Sequence, residues 1–228
     1  MFGQINSTPY DLRFSLFGIP IRVHPAFWLI SGMLGWRAGR LDLVFVWVCC
    51  VFVSILVHEL GHALVAKWFG WPPEIVLFHF GGYAAYNPIR GHTAGRSILI
   101  SFAGPGAGFL LFGVVFGVLL IPGINLHPLG PTTLADWVVQ DLVWINLAWG
   151  LVNLLPVLPL DGGRISEEVC HLLRPRDGQL WAHRIAIVVS GLIAFLFVKI
   201  GLIFGGIMFG LLCFQNFQAH QSIQGRNW

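Results

Sequence analysis

Long apolar runs, parted by short breaks rich in Gly, Pro and Arg, set the pattern of this 228-residue chain. Six runs read as membrane spans, at about 24–36, 41–69, 97–121, 138–158, 185–199 and 201–217. The first is short for ~30 Å of hydrocarbon, so it either begins nearer Ile19 or is tilted. Pro25 opens it, where proline is tolerated, and His24 at its mouth reads as an interfacial residue rather than a ligand. The last two are also short. A turn near Lys199-Ile200-Gly201 divides them, and one long tilted helix is the alternative.

Two stretches break the helical pattern. Residues 1–23 alternate apolar and polar positions in Leu12–Phe17 and again in Ile19–Val23, which predicts strands or interfacial segments at the membrane surface. Residues 70–96 carry Gly70, Pro72, Pro73, Gly81, Gly82, Pro88, Gly91 and Gly95. Within them Ile75–Phe80 and Tyr83–Tyr86 flank the Gly81-Gly82 pair, which reads as a β-hairpin or extended pair. It is apolar enough to dip into the membrane wherever protein or water covers its backbone. His79 alternates with Phe78 and Phe80, and is either a bystander or a residue facing a wet site. The expected fold class is an all-α polytopic membrane protein of about six spans with a small β region after the second. The expected domains are an amphipathic lead at 1–23 and one membrane-embedded domain at 24–228.

Composition agrees. The chain is 56% hydrophobic and 10% charged, against about 25% charged residues in soluble domains. A net charge of +3, widely spread, gives no footprint for nucleic acid. Cys49, Cys50, Cys170 and Cys213 show no CxxC spacing and read as small core residues. No cleavable leader is evident at the start. The basic residues also give an orientation. With an even number of spans, ten of the thirteen Lys and Arg fall on one side, and only Arg37, Arg40 and Lys199 on the other. That asymmetry predicts both termini in the cytoplasm.

The chemistry sits in the second span, at His58-Glu59-Leu60-Gly61-His62. Residues four apart on a helix share a face, so both imidazoles can reach one metal ion, with Glu59 placed to take a proton from a water. Three such side chains in lipid cost at least a few kcal/mol, which argues against chance. Two histidines do not complete a catalytic zinc site, which usually has three protein ligands. The second and fourth spans descend in the same direction. The histidines stand roughly 10–15 Å above the lower end of theirs, at 1.5 Å per residue, and Asp161 arrives at the lower end of the other. Asp141 lies toward the opposite face, and Glu167 and Glu168 belong to the polar, basic stretch 164–184. Asp161 is therefore the best third ligand.

These residues resemble a known family. His58-Glu-Leu-Gly-His62, with Asn153-Leu-Leu-Pro156-Val-Leu-Pro-Leu-Asp161-Gly162-Gly163, is similar to the site-2 protease family of intramembrane zinc metalloproteases. Gly18–Pro25, Phe80-Gly81-Gly82 and Gly104-Pro105-Gly106 extend the likeness over most of residues 16–165. The resemblance implies one Zn2+ held by His58, His62 and Asp161, and Glu59 as general base. It implies a substrate or transition-state contact at Asn153, and substrate contacts at Phe80, Gly81 and Gly82. It further implies single-span membrane proteins as substrates. The chain has no room for the PDZ or nucleotide-sensing domains of many relatives. From the residues alone Asn153 is either an oxyanion donor or a helix-to-helix hydrogen bond. A substrate helix must unwind before attack, and the expectation is that an edge strand within 75–86 pairs with it, with Val76–Phe78 as the positions to test. The rival reading is a metal transporter or channel built on the same His and Asp ligands, which has no evident need of Glu59.

Overall fold

A computed structural model describes residues 7–79, 81–88 and 91–225. Phe80, one of the expected substrate contacts, lies outside the described residues, as do Arg90 and Arg226 from the charge count. The chain divides into two compact units. One comprises residues 1–90 and 103–150, the other 91–102 and 151–228.

The first unit is built on a four-stranded sheet and a long helix. Strands β1 (Leu12–Leu16) and β2 (Ile19–Val23) pair antiparallel, and β3 (Pro73–Phe78) and β4 (Gly81–Tyr86) do the same. β2 pairs parallel with β3, giving the order β1-β2-β3-β4. The β1–β2 turn places Phe17 and Gly18 at φ +53° and +67°, the two-residue turn whose twist suits a hairpin. Lys67 donates to the Phe17 carbonyl at 2.7 Å and ties this turn to the following helices.

Between β2 and β3 run α1 (Pro25–Leu34) and α2 (Leu41–Trp68). His24 is the N-cap of α1, its Nδ1 accepting from the Ala26 N–H at 3.1 Å. α2 ends in a Schellman motif: Trp71 N–H bonds the Ala66 carbonyl, Gly70 N–H bonds that of Lys67, and Gly70 takes φ +79°. Alternate residues of β2 and β3, Ile19, Ile21, Val23, Ile75 and Leu77, face one way and pack with Val51, Ile55, Leu60 and Ala63 of α2. The sheet thus rests on the half of the helix that carries the pentad.

Helix α3 (Ala94–Leu119) has Pro105 inside it, and α4 (Leu134–Asn153) follows. In the first unit Asn146 of α4 donates to Ser54 Oγ of α2 at 2.9 Å, a packing contact. Asp141 pairs with Arg37 at 3.3 Å, which accounts for a charge inside an apolar run.

The second unit holds α5 (Asp161–Leu173), α6 (Gly178–Lys199) and α7 (Ile203–Gln224). Gly201, at φ +80°, ends α6 in a second Schellman motif, with Leu202 N–H on the Phe197 carbonyl. The last apolar region is therefore two helices.

Among the described residues three helices, α2, α3 and α6, are long and apolar enough to cross a membrane. That supports a membrane protein, mostly helical, with a small sheet, and falls short of the six spans expected. α1, at ten residues, is only about 15 Å long. The expected fourth span stops at Asn153, and the polar stretch after it is helical, as α5 and the start of α6. The β region is also larger than expected, because residues 12–23 join it. Its hairpin pairs Phe78 with Gly81, and Gly81 and Gly82 begin β4 rather than forming the turn. Val76–Phe78 lie in β3, which is paired on both sides, so within 75–86 the strand at an edge of the sheet is β4.

Candidate metal centre

His58, Glu59 and His62 lie in the second half of α2 and are 4%, 5% and 7% exposed. The Nε2 atoms of the two imidazoles stand 3.2 Å apart. Two Zn–N bonds of about 2.0–2.1 Å at a tetrahedral angle would separate their nitrogens by about 3.3 Å. The pair therefore fits a single ion as it stands.

Two glycines of the pentad's surroundings make that fit possible. Gly61 has no Cβ because the backbone carbonyl of Ala103 in α3 occupies its place, and Gly104 has none because the His62 ring does. The Gly104-Pro105-Gly106 patch thus allows close helix contact, as its composition suggests, and the group it accommodates is the Nε2 edge of the His62 ring.

Glu59 points to the sheet. A Cβ at Gly82 would stand 2.9 Å from Glu59 Cγ and 3.2 Å from its Oε1. Gly81, the neighbouring expected contact, faces Trp149 of α4, where a Cβ would approach the ring to 3.4 Å. β4 therefore runs beside the carboxylate with its small residues inward.

The remaining expected residues belong to the second unit. Asn153 is buried and is the last residue of α4. Asp161, half-buried, is the first residue of α5. The segment between them lies against the first turn of α5: Cβ atoms at Gly162 and Gly163 would collide with the backbone at Leu154–Leu155 and Val157–Leu158. That is the physical reason for two glycines after Asp161. Sequence reasoning missed Asn216 of α7, buried at 2% exposure, which donates to the Leu158 carbonyl at 2.7 Å. The available signal was a polar amide inside an apolar run, which seldom lacks a role.

A buried His-Glu-x-x-His helix in a membrane-type chain is the pattern found in metallohydrolases. Residues 46–198 match Peptidase family M50, and the chain belongs to that family. A zinc metalloprotease of Methanocaldococcus jannaschii is 32% identical over 200 residues, 85% of this chain and 55% of its own length. Stage IV sporulation protein FB of Bacillus subtilis is 29% identical over 148 residues, covering 64% of this chain and 46% of that protein. The solved structure of the site-2 protease from M. jannaschii aligns with a TM-score of 0.57 at 27% identity, over 92% of this chain and 95% of that one. The chain spans about half the length of the curated relatives it matches.

Proposed function

We propose that this chain is an intramembrane zinc endopeptidase that hydrolyses peptide bonds within or near the transmembrane segments of single-span membrane proteins. One observation carries the reading: a buried carboxylate, Glu59, beside two imidazoles whose Nε2 atoms are 3.2 Å apart, on a helix long and apolar enough to cross a membrane. Membership of peptidase family M50 supports it.

His58, His62 and Asp161 are the proposed ligands, and two imidazoles with one carboxylate are a donor set suited to zinc with an open position. Bound zinc supplies a Lewis acid for the scissile carbonyl and lowers the pKa of a water toward ~7. To hold the ion, each histidine would have to offer a ring nitrogen free of its proton. Glu59 accepts the proton of the attacking water and later returns it to the leaving amine. The buried amide of Asn153 donates to the developing oxyanion.

The substrate must offer extended backbone, because a helix keeps its carbonyls in its own hydrogen bonds. β4 is the outer strand on that side of the sheet among the described residues, and it passes Glu59 at Gly82. An unwound substrate segment added to β4 would run past the general base. The basic-residue asymmetry supports six crossings, with both termini and the site toward the cytoplasm.

Glu59→Gln tests the reading against metal transport. Cleavage of a model single-span substrate is expected to fall roughly 10²–10⁴-fold, with one zinc per chain retained. A variant that cleaves at the wild-type rate, or wild-type protein that moves zinc into proteoliposomes without cleaving, would overturn it.

A further inference from the structure

Three buried or loop groups in the second unit make one hydrogen-bonded chain. Asn216 Nδ2 donates to the Leu158 carbonyl at 2.7 Å and to the Leu212 carbonyl at 2.9 Å. His183 Nδ1 lies 2.9 Å from Asn216 Oδ1. Both amide hydrogens are used on carbonyls, and turning the amide over would set its oxygen against both of them. Oδ1 is therefore the acceptor, and His183 Nδ1 must carry a hydrogen. His183 and Asn216 are 8% and 2% exposed.

Leu212 is one turn back on α7, and that bond is local. The Leu158 bond is not: it ties α7 to a non-helical segment 58 residues away in sequence. That segment leads directly into Asp161. Its far side is already fixed, since Gly162 and Gly163 press their backbone against Leu154–Leu158, and Val157 is fully buried. Leu160 N–H bonds the Val157 carbonyl and Arg164 N–H bonds that of Leu160, carrying the segment into the first turn of α5. The Leu158 carbonyl, three residues before Asp161, is where α7 holds this segment from the other side.

We infer that Asn216 is a positioning residue for Asp161, and that His183 orients the Asn216 amide. Hydrogen bonds that orient a ligand's support are commonly worth 10–100-fold in metal affinity. The inference rests on the reading of Asp161 as a zinc ligand. It adds that this ligand's placement is set from the last two helices, by residues that touch neither metal nor substrate.

The test measures zinc affinity of the purified full chain by chelator competition, together with melting temperature and the absorption spectrum of the cobalt-loaded protein. Asn216→Ala and His183→Leu are expected to bind zinc roughly 10–100-fold more weakly, with an altered cobalt spectrum. In cleavage, kcat should fall with KM little changed. His183→Gln, whose amide N–H can replace the ring donor, should restore affinity to near wild type. A merely structural role would lower the melting temperature and leave the folded protein's zinc affinity and cobalt spectrum unchanged, which overturns the inference. Where Asn216→Ala does not fold, the His183 pair decides: equal zinc affinity in the Leu and Gln variants overturns it. Asp161→Ala separates the two readings. Wild-type zinc affinity in that variant sinks the ligand assignment itself, whatever Asn216 does.

Discussion

Gly104 shows how much of the proposed metal site is made by leaving atoms out. The His62 ring fills the volume a side chain would take there, so Gly104→Ala must push either the imidazole or α3 away. Overpacking of this kind costs about 1–3 kcal/mol, and a displaced ligand loses more in metal binding than in fold. Gly104→Ala is expected to fold with a lowered melting temperature and to hold clearly less than one zinc per chain by elemental analysis. Full zinc occupancy would overturn the expectation that the imidazole, rather than α3, gives way. A second residue, Asp11, carries a charge effect away from the site. The Thr8 hydroxyl donates to its carboxylate at 2.6 Å, Thr8 N–H and Arg22 add further bonds, and the carboxyl pKa is lowered to about 2. A folded-state pKa below the ordinary value means that the stabilisation is present above about 4 and is lost as pH falls from there through about 2. Carboxyl-carbon NMR should place the Asp11 midpoint near 2, with loosening of the β1–β2 hairpin at the same pH. A midpoint near 4 would refute the bonding pattern, and Asp11→Asn should remove this part of the acid response.

Elements divide into those that declare themselves locally and those that need a distant partner. α2 and α3 were legible as apolar runs of sufficient length, and Gly201 marked the break between α6 and α7 by the conformation it has to adopt. The pentad was legible because a four-residue spacing on a helix fixes which side chains meet. The parallel pairing of β2 with β3 was not, since Ile21 and Ile75 are neighbours through a register with no local sequence signature. That pairing moves the usable edge of the sheet from Val76–Phe78 to β4, and with it the experiment. Proline at successive positions Tyr83, Ala84 and Ala85 removes one backbone N–H at a time. Where that N–H faces outward, the loss of one substrate hydrogen bond, about 1 kcal/mol, should slow cleavage about fivefold at unchanged zinc content. Proline at Val76 or Leu77 should instead damage the fold, because β3 has partners on both sides. Normal cleavage by every β4 variant would remove strand addition from the mechanism.

At the scale of the whole molecule the open question is how ten helical residues of α1 can stand for a span. α1 has ten residues and covers only about 15 Å of the ~30 Å of hydrocarbon. β2 cannot supply the rest as strand in lipid, because it carries Arg22 and its partner β1 places Arg13 directly opposite. The basic-residue asymmetry favours an even number of crossings, which is kept if α1 crosses where the bilayer is thinned and the sheet stays on the cytoplasmic side. The prediction is a matter of sidedness. In protein freed of its four native cysteines, Ser7→Cys and Ser222→Cys should react with an impermeant maleimide only from the cytoplasmic face of membrane vesicles. Gly130→Cys, in the segment before α4, should react only from the opposite face. Labelling of Ser7→Cys and Ser222→Cys from opposite sides would mean an odd number of crossings, and α1 would then be a re-entrant element rather than a span.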